Sequence, residues 1–167
     1  KAGNTLVLFE IEKDEFDVPV YSQVMDMYSK ITKSVHAKAI VSAYTLDAKG
    51  IAPAISKMAF GNMLGVNVDT NVSANKLFAP LYGCIVAEVE TDKLSTLEAP
   101  YTVIGTVTED AAFVYGDMRI ELSEAVDTWK KPLEKVFPTV AVKGGDLIDT
   151  PIYDTKEIYV CKNKIAK

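Results

Sequence analysis

The side chains that could do acid–base, nucleophilic or metal chemistry are few in this sequence, and they stand far apart. His36 is the only histidine. No serine or cysteine nucleophile pattern lies near it, so we expect it to have a surface or helix-end role. Cys84 lies in an apolar run typical of a core, whereas Cys161 lies in the C-terminal tail. One histidine and two distant cysteines cannot form a zinc site, so these residues predict neither catalysis nor a metal centre.

Two other patterns could suggest chemistry, but each has a simpler interpretation. Asp14-Glu15 and Glu109-Asp110 are adjacent carboxylates. Neighbouring residues in a loop rarely converge on one substrate, so we expect both pairs to be solvated. The run Gly144-Gly145-Asp146 is rich in glycine, but it lacks the spacing and the Lys-Ser/Thr pair of a phosphate-binding loop. We therefore expect no phosphate site there.

Runs of β-forming residues alternate with helical stripes along most of the chain. Apolar residues between Tyr21 and Val35 recur at helical spacing, and Asp17 with Pro19 predicts the start of that helix. Gly116-Asp117 joins two β-forming runs and predicts a hairpin. Strands alternate with helices early and a hairpin comes late, so we predict an α+β fold with a mixed sheet covered by helices. The other predicted strands are residues 5–10, 39–44, 65–68, 83–89 and 101–107.

Length and charge exclude several classes of protein. The 167 residues suit one domain, predicted at 1–137, followed by a tail or linker at 138–167. The net charge is −5 and the chain has no long Lys/Arg cluster, so we expect no nucleic-acid partner. No apolar run reaches the roughly 20 residues that cross a bilayer, so we expect no membrane partner. The cysteine usage suits a reducing cytoplasm, and the start at Lys1 suggests excision from a longer chain.

One stretch of sequence resembles a known family. Residues 42–51 read Ser-Ala-Tyr-Thr-Leu-Asp-Ala-Lys-Gly-Ile, and Lys57 to Asn62 follow after a short helix. This stretch resembles, without a gap up to the helix end, the second-half motif of phosphoribosylformylglycinamidine synthases, Ser-Ala-His-Asp-x-Ser-Asp-Gly-Gly-Leu followed by Glu-Met-Ala-Phe-Ala-Gly. Residues 104–108 resemble the Ile-Gly-x-Val-Thr strand of the family. Residues 129–139 resemble its connection to the glutaminase domain in the long single-chain form.

The resemblance carries expectations about fold and activity. It implies the C-terminal domain shared with aminoimidazole ribonucleotide synthetase, which has three layers, a mixed sheet and a partly ferredoxin-like topology. The family amidates formylglycinamide ribonucleotide with ATP and glutamine in de novo purine synthesis, and ATP or ADP and magnesium are its cofactors. The expected partners are the synthetase-like N-terminal domains and the glutaminase domain of a parent amidoligase.

The sequence departs from the family motif at its reactive positions. Tyr44 stands at the His, Thr45 at the first Asp, Ala48 at the second Asp and Lys49 at the first Gly. A tyrosine cannot act as a base at neutral pH as histidine can, and alanine has no oxygen for a metal. We therefore expect no catalytic residue in this copy and no turnover by the isolated chain.

Two interpretations of this altered turn remain open at the level of sequence. Thr45, Asp47, Lys49 and Gly50 could still line a structural nucleotide site in the second, non-catalytic half of the parent enzyme. Alternatively, the turn is purely architectural. A different class of function also remains open, namely an independent ligand-binding or regulatory α+β domain. An isolated domain of this type is expected to expose apolar surface and to be able to self-associate.

Overall fold

The structure, a computed structural model, describes residues 1–139, and these fold around one seven-stranded sheet. Four α-helices and a 3-10 helix at Thr91–Thr96 connect the strands. The strands are β1 Thr5–Phe9, β2 Ile40–Thr45, β3 Gly65–Val68, β4 Ile85–Val89, β5 Thr102–Thr108, β6 Ala112–Tyr115 and β7 Met118–Glu121. The helices are α1 Tyr21–His36, α2 Ile51–Phe60, α3 Ala74–Leu77 and α4 Leu122–Lys130.

The sheet is mixed, and its first strand lies near the middle. The order is β2-β4-β1-β5-β3-β6-β7. β1 pairs antiparallel with both β4 and β5. β3 pairs parallel with β6, and β6 continues into the antiparallel β6–β7 hairpin around Gly116. β2 and β7 are therefore the edge strands.

Alternation along β1 assigns the helices to opposite faces of the sheet. Leu6 and Leu8 point into a core shared with α2 and with Leu122 at the start of α4. Val7 and Phe9 point the other way, into a second core shared with α1. Successive strand residues face opposite sides, and all five residues of β1 are buried, so the strand is covered on both sides. The result is a three-layer α+β fold, which confirms the predicted class.

The start of α1 differs from the sequence prediction. The helix begins at Tyr21 with Val20 as its N-cap, and no side chain caps it. Asp17 instead adopts a left-handed backbone with φ of 65° in a short loop closed by a bridge between Lys13 and Pro19. The prediction that Asp17 caps the helix was wrong, because this local loop uses the residues that resembled a capping sequence.

Helix α4 ends at Lys130, close to the end of the described residues. The predicted tail at 138–167 lies, from residue 140 onward, outside the described residues, as does Cys161, so the domain boundary stays a prediction. Over residues 1–139, none of the helices has the length and apolar character needed to cross a bilayer.

Candidate functional site

The residues singled out by the family resemblance form one turn between β2 and α2. Thr45 ends β2 at the surface, and the following residue, Leu46, is buried. The Leu46 N–H donates to the Cys84 carbonyl at 2.9 Å, which fixes the turn to the chain entering β4. Asp47 and Lys49 are exposed, whereas Gly50 is buried at the helix start. The structure thus brings Thr45, Asp47, Lys49 and Gly50 together at one end of the sheet.

Asp47 shapes this turn through its carboxylate. Its Oδ1 atom accepts a hydrogen bond of 2.7 Å from the Lys49 N–H, an Asx-turn geometry. Its backbone carbonyl accepts from the Leu81 N–H at 3.2 Å. One carboxylate oxygen therefore already serves the local backbone, and the turn is held against the loop that precedes β4.

Gly50 is required by a close approach of the backbone. It has φ of 77° and ψ of −153°, a conformation that residues with a Cβ rarely adopt. A Cβ added there would lie 2.6 Å from the Ala79 carbonyl oxygen and 2.8 Å from that of Leu77. The segment after α3 thus crosses directly over the start of α2. This contact joins segments distant in sequence, so the sequence pattern gave no signal for it.

The α2 N-terminus offers few free donors for an anion. No side chain caps it, and Pro53 in the third helical position has no N–H. The backbone donors of the first turn are therefore those of Ile51 and Ala52. The Ile51 residue is completely buried. A helix N-terminus of this kind is a weaker anion site than one with every amide available.

Tyr44, at the histidine position of the family motif, is engaged by Lys57. The Lys57 ammonium donates to the Tyr44 hydroxyl at 3.0 Å and lies 5.3 Å from the ring centroid. This hydrogen bond raises the pKa of Lys57 above its usual value, so the ammonium stays charged beside the ring. The pair ties the end of β2 to the middle of α2 and leaves no general base at this position.

The other candidate side chains do not assemble into a reactive cluster. Cys84 is buried, and burial raises the pKa of its thiol, which disfavours the nucleophilic thiolate. His36 is exposed at the last position of α1. Asp110 forms a bidentate pair with Arg119, and this contact lowers the pKa of the carboxyl. Within residues 1–139, no group of three or more His, Cys, Asp or Glu residues is arranged to hold a metal ion.

An apolar groove opens beside the turn, and sequence reasoning missed it. It has a volume of about 520 Å³ and lies between α2, α3, α4 and the β6–β7 hairpin. We call it the α2–β7 groove. Its lining residues come from separate helices and strands, so the groove becomes visible only in the folded structure. The residues that define it are Lys49, Lys57, Phe60, Phe78, Met118 and Trp129.

Comparison with known proteins gives a consistent result. No family model matches the chain. The PurL subunit of phosphoribosylformylglycinamidine synthase from Helicobacter hepaticus is 34% identical over 99 residues, which are 53% of this chain and 13% of that protein. Thermotoga maritima phosphoribosylformylglycinamidine synthase II has a similar fold, with a TM-score of 0.59 and 15% identity over 74% of this chain and 26% of that one. Its ADP complex matches over 96% of this chain and 30% of its own, with a TM-score of 0.59 and 14% identity.

The structural matches show that this chain shares the α+β fold of part of the Thermotoga maritima protein. Over 99 residues its sequence is also similar to a segment of the Helicobacter hepaticus PurL subunit. The chain spans 13% of the curated relative and about a quarter of the solved one, at 26%.

Proposed function

We propose that this chain is a synthetase-like domain of an ATP- and glutamine-dependent ligase that amidates formylglycinamide ribonucleotide, and that it serves architecture rather than catalysis. The observation that carries this proposal is the turn before α2. Ala48 offers no metal ligand, and Asp47 uses one oxygen to form the turn. Tyr44 is bound to Lys57 rather than free to accept a proton.

The wider setting belongs to the same proposal. We infer a long single-chain, cytoplasmic enzyme in which this domain is the C-terminal part of the second synthetase-like half. The segment from Trp129 to Thr139 then leads toward a glutaminase domain, and ATP and magnesium act in the other half. The support is the likeness of that segment to the family's linker. Sequencing the surrounding reading frame tests this setting, because an independent regulatory domain would have no adjoining glutaminase sequence.

A second candidate is a nucleotide held without turnover at Thr45, Asp47, Lys49 and Gly50. One observation favours it. Lys49 is exposed beside the α2 N-terminus, and it also lines the α2–β7 groove, which is large enough for a nucleobase. The Lys49 ammonium and the Ala52 backbone amide could contact a phosphate there.

An amidation assay tests the catalytic part of the proposal. The purified chain is incubated with formylglycinamide ribonucleotide, ATP, magnesium and ammonia, and product formation is compared with that of a complete PurL-type enzyme. We expect no product above the background without protein. Turnover by the pure chain that scales with its concentration would overturn the architectural role.

Calorimetric titration separates the two candidates. ATP or ADP with magnesium is titrated into the wild-type chain, Lys49→Ala and the control Lys38→Ala, whose side chain is exposed at the end of α1. If the turn is purely architectural, none of the three proteins should show binding heat at millimolar nucleotide. Binding that Lys49→Ala weakens and Lys38→Ala leaves unchanged would favour the nucleotide site instead.

A further inference from the structure

A short acidic loop just before the N-terminus of α1 is held together by several hydrogen bonds. Lys13 and Pro19 form an antiparallel bridge, and the Asp14 N–H donates to the Val18 carbonyl at 2.9 Å. The Asp14 carboxylate accepts from the N–H groups of both Phe16 and Val18, each at 2.9 Å. We call residues 13–19 the acidic hairpin. These bonds fix its backbone before any partner arrives, which lowers the entropy cost of binding.

The acidic hairpin presents a phenylalanine to solvent. Phe16 is 77% exposed and lies among the carboxylates of Asp14, Glu15 and Asp17. Val18 and Tyr21, which follow closely in sequence, are also exposed. Large exposed apolar side chains with charged neighbours are typical of a protein contact surface.

The α2–β7 groove has the complementary chemistry. Its lining is mostly apolar, with Met118 55% exposed and Phe78 and Trp129 also open to solvent. Lys49 and Lys57 supply positive charge at its lining, and within residues 1–139 neither forms a salt bridge. Its volume of about 520 Å³ is ample for an aromatic side chain.

We propose that the acidic hairpin of one copy of this chain docks into the α2–β7 groove of another. Phe16 enters the groove, and the Glu15 carboxylate lies toward Lys49 and Lys57 of the second copy, whereas Asp17 is paired with Lys13 of its own hairpin at 3.2 Å. Phe16 is exposed in its own chain, and docking of this kind would bury it in the groove of a different copy. The contact joins two different patches, and each bound pair therefore leaves one hairpin and one groove free. The assembly grows past a dimer unless the copies close on themselves.

Sedimentation velocity of the whole 167-residue chain across a concentration series tests this contact. The wild-type mass is expected to rise with concentration. Phe16→Ala removes the aromatic anchor, and Met118→Glu places a like charge in the groove. Each should weaken association about tenfold or more. Both positions are exposed, so the folded state is retained, and circular dichroism checks this for each variant.

A matched control separates a specific contact from general stickiness. Phe137 is 72% exposed and lies outside both the acidic hairpin and the groove. Phe137→Ala should associate as the wild type does. An equal loss in Phe137→Ala and Phe16→Ala, or a wild-type chain that stays monomeric at every concentration, would overturn the proposal.

Mixing the two defective variants gives the sharpest test. Phe16→Ala keeps an intact groove, and Met118→Glu keeps an intact hairpin. Together they should form a one-to-one dimer that does not grow, at a concentration at which each variant alone remains monomeric. A mixture that stays monomeric would refute docking of hairpin into groove. This outcome is independent of the proposed enzymatic role, which the amidation assay tests separately.

Discussion

The two halves of the sheet differ in how completely they are covered. β1 and β4 lie between α1 on one face and α2 on the other, and Val7, Val86 and Val89 have no exposed surface. In contrast, every residue of β7 is exposed. The first half buries apolar surface on both sides and is expected to supply most of the stability. The second half leaves apolar surface for contacts outside the domain.

The uncovered half also has an open, more polar face. On the side of the sheet where α1 lies, the helix does not extend over β5, β3 and β6. A shallow depression of about 430 Å³ remains there, lined by Asn67, Asp69, Thr106 and Val103 among others. The same sheet therefore has a closed core at one end and two open surfaces at the other. The following experiments test whether stability divides in the same way.

Core truncation should show the largest difference between the halves. Leu8 is 1% exposed in β1, and Val103 is 42% exposed in β5. Leu8→Ala should lower the free energy of unfolding by about 2–5 kcal/mol, because it leaves a cavity in packed surroundings. Val103→Ala should cost less than about 1 kcal/mol. Urea unfolding of both variants measures the difference, and equal losses would show that the open half is as tightly packed as the closed one.

The two ends of α2 should respond differently to the same substitution. Gly50→Ala should destabilise by about 1–3 kcal/mol, because it introduces a Cβ at positive φ against two carbonyl oxygens. Gly61 has φ of −64°, and an added Cβ would meet no atom within 4 Å. Gly61→Ala should be neutral or slightly stabilising. Thermal unfolding compares the two, and a harmless Gly50→Ala would disprove the close approach of Leu77 and Ala79.

Hydrogen exchange can compare the local stability of the covered and the open half of the sheet without any mutation. The amides of β1 and β4 should open only with global unfolding, since both strands are central and buried. The amides in the β6–β7 hairpin should exchange at least about tenfold faster, because few buried apolar contacts hold that edge. Uniform protection across the seven strands would contradict the comparison.

The smallest expected effect concerns the ion pair on the exposed hairpin. Arg119 Nη2 donates to Asp110 Oδ1 at 2.9 Å, and the contact lowers the pKa of Asp110. A lowered folded-state pKa means that the pair stabilises the fold above the unfolded pKa of about 4, and that this contribution is lost as pH falls through the folded value. In Arg119→Gln, NMR titration should find the Asp110 pKa shifted upward. No upward shift would show that the guanidinium is not its cause.

Local patterns predicted most of the elements but not what surrounds them. The apolar runs of β1 and β4 and the glycine turn of the β6–β7 hairpin are properties of neighbouring residues, so the sequence indicated them. The loop at Asp17 was misassigned because Asx-type hydrogen bonds compete with helix capping for the same residue types. The positions of Thr45, Asp47, Lys49 and Gly50 in one turn followed from the motif, and their binding role stays a prediction.

The α2–β7 groove and the closeness of Gly50 to Ala79 could not be predicted in the same way. Both depend on which distant segments become neighbours, and the strand order includes a parallel β3–β6 pair beside antiparallel ones. Periodicity constrains which face of an element is apolar, but it does not select the partner of that face. Trp129, for example, lines the groove and is exposed, and nothing in its sequence neighbourhood indicates which elements it faces.

The central position of β1 has a consequence for how the chain is made. Its two neighbours in the sheet, β4 and β5, are synthesised only after residue 84 and residue 101 respectively. The segment Thr5–Phe9 therefore remains without its neighbouring strands while most of the domain is being synthesised. Long-range pairing of this kind slows folding, and an unpaired apolar strand invites aggregation. Ribosome-associated chaperones should accordingly contact the nascent chain until Thr108 has left the exit tunnel.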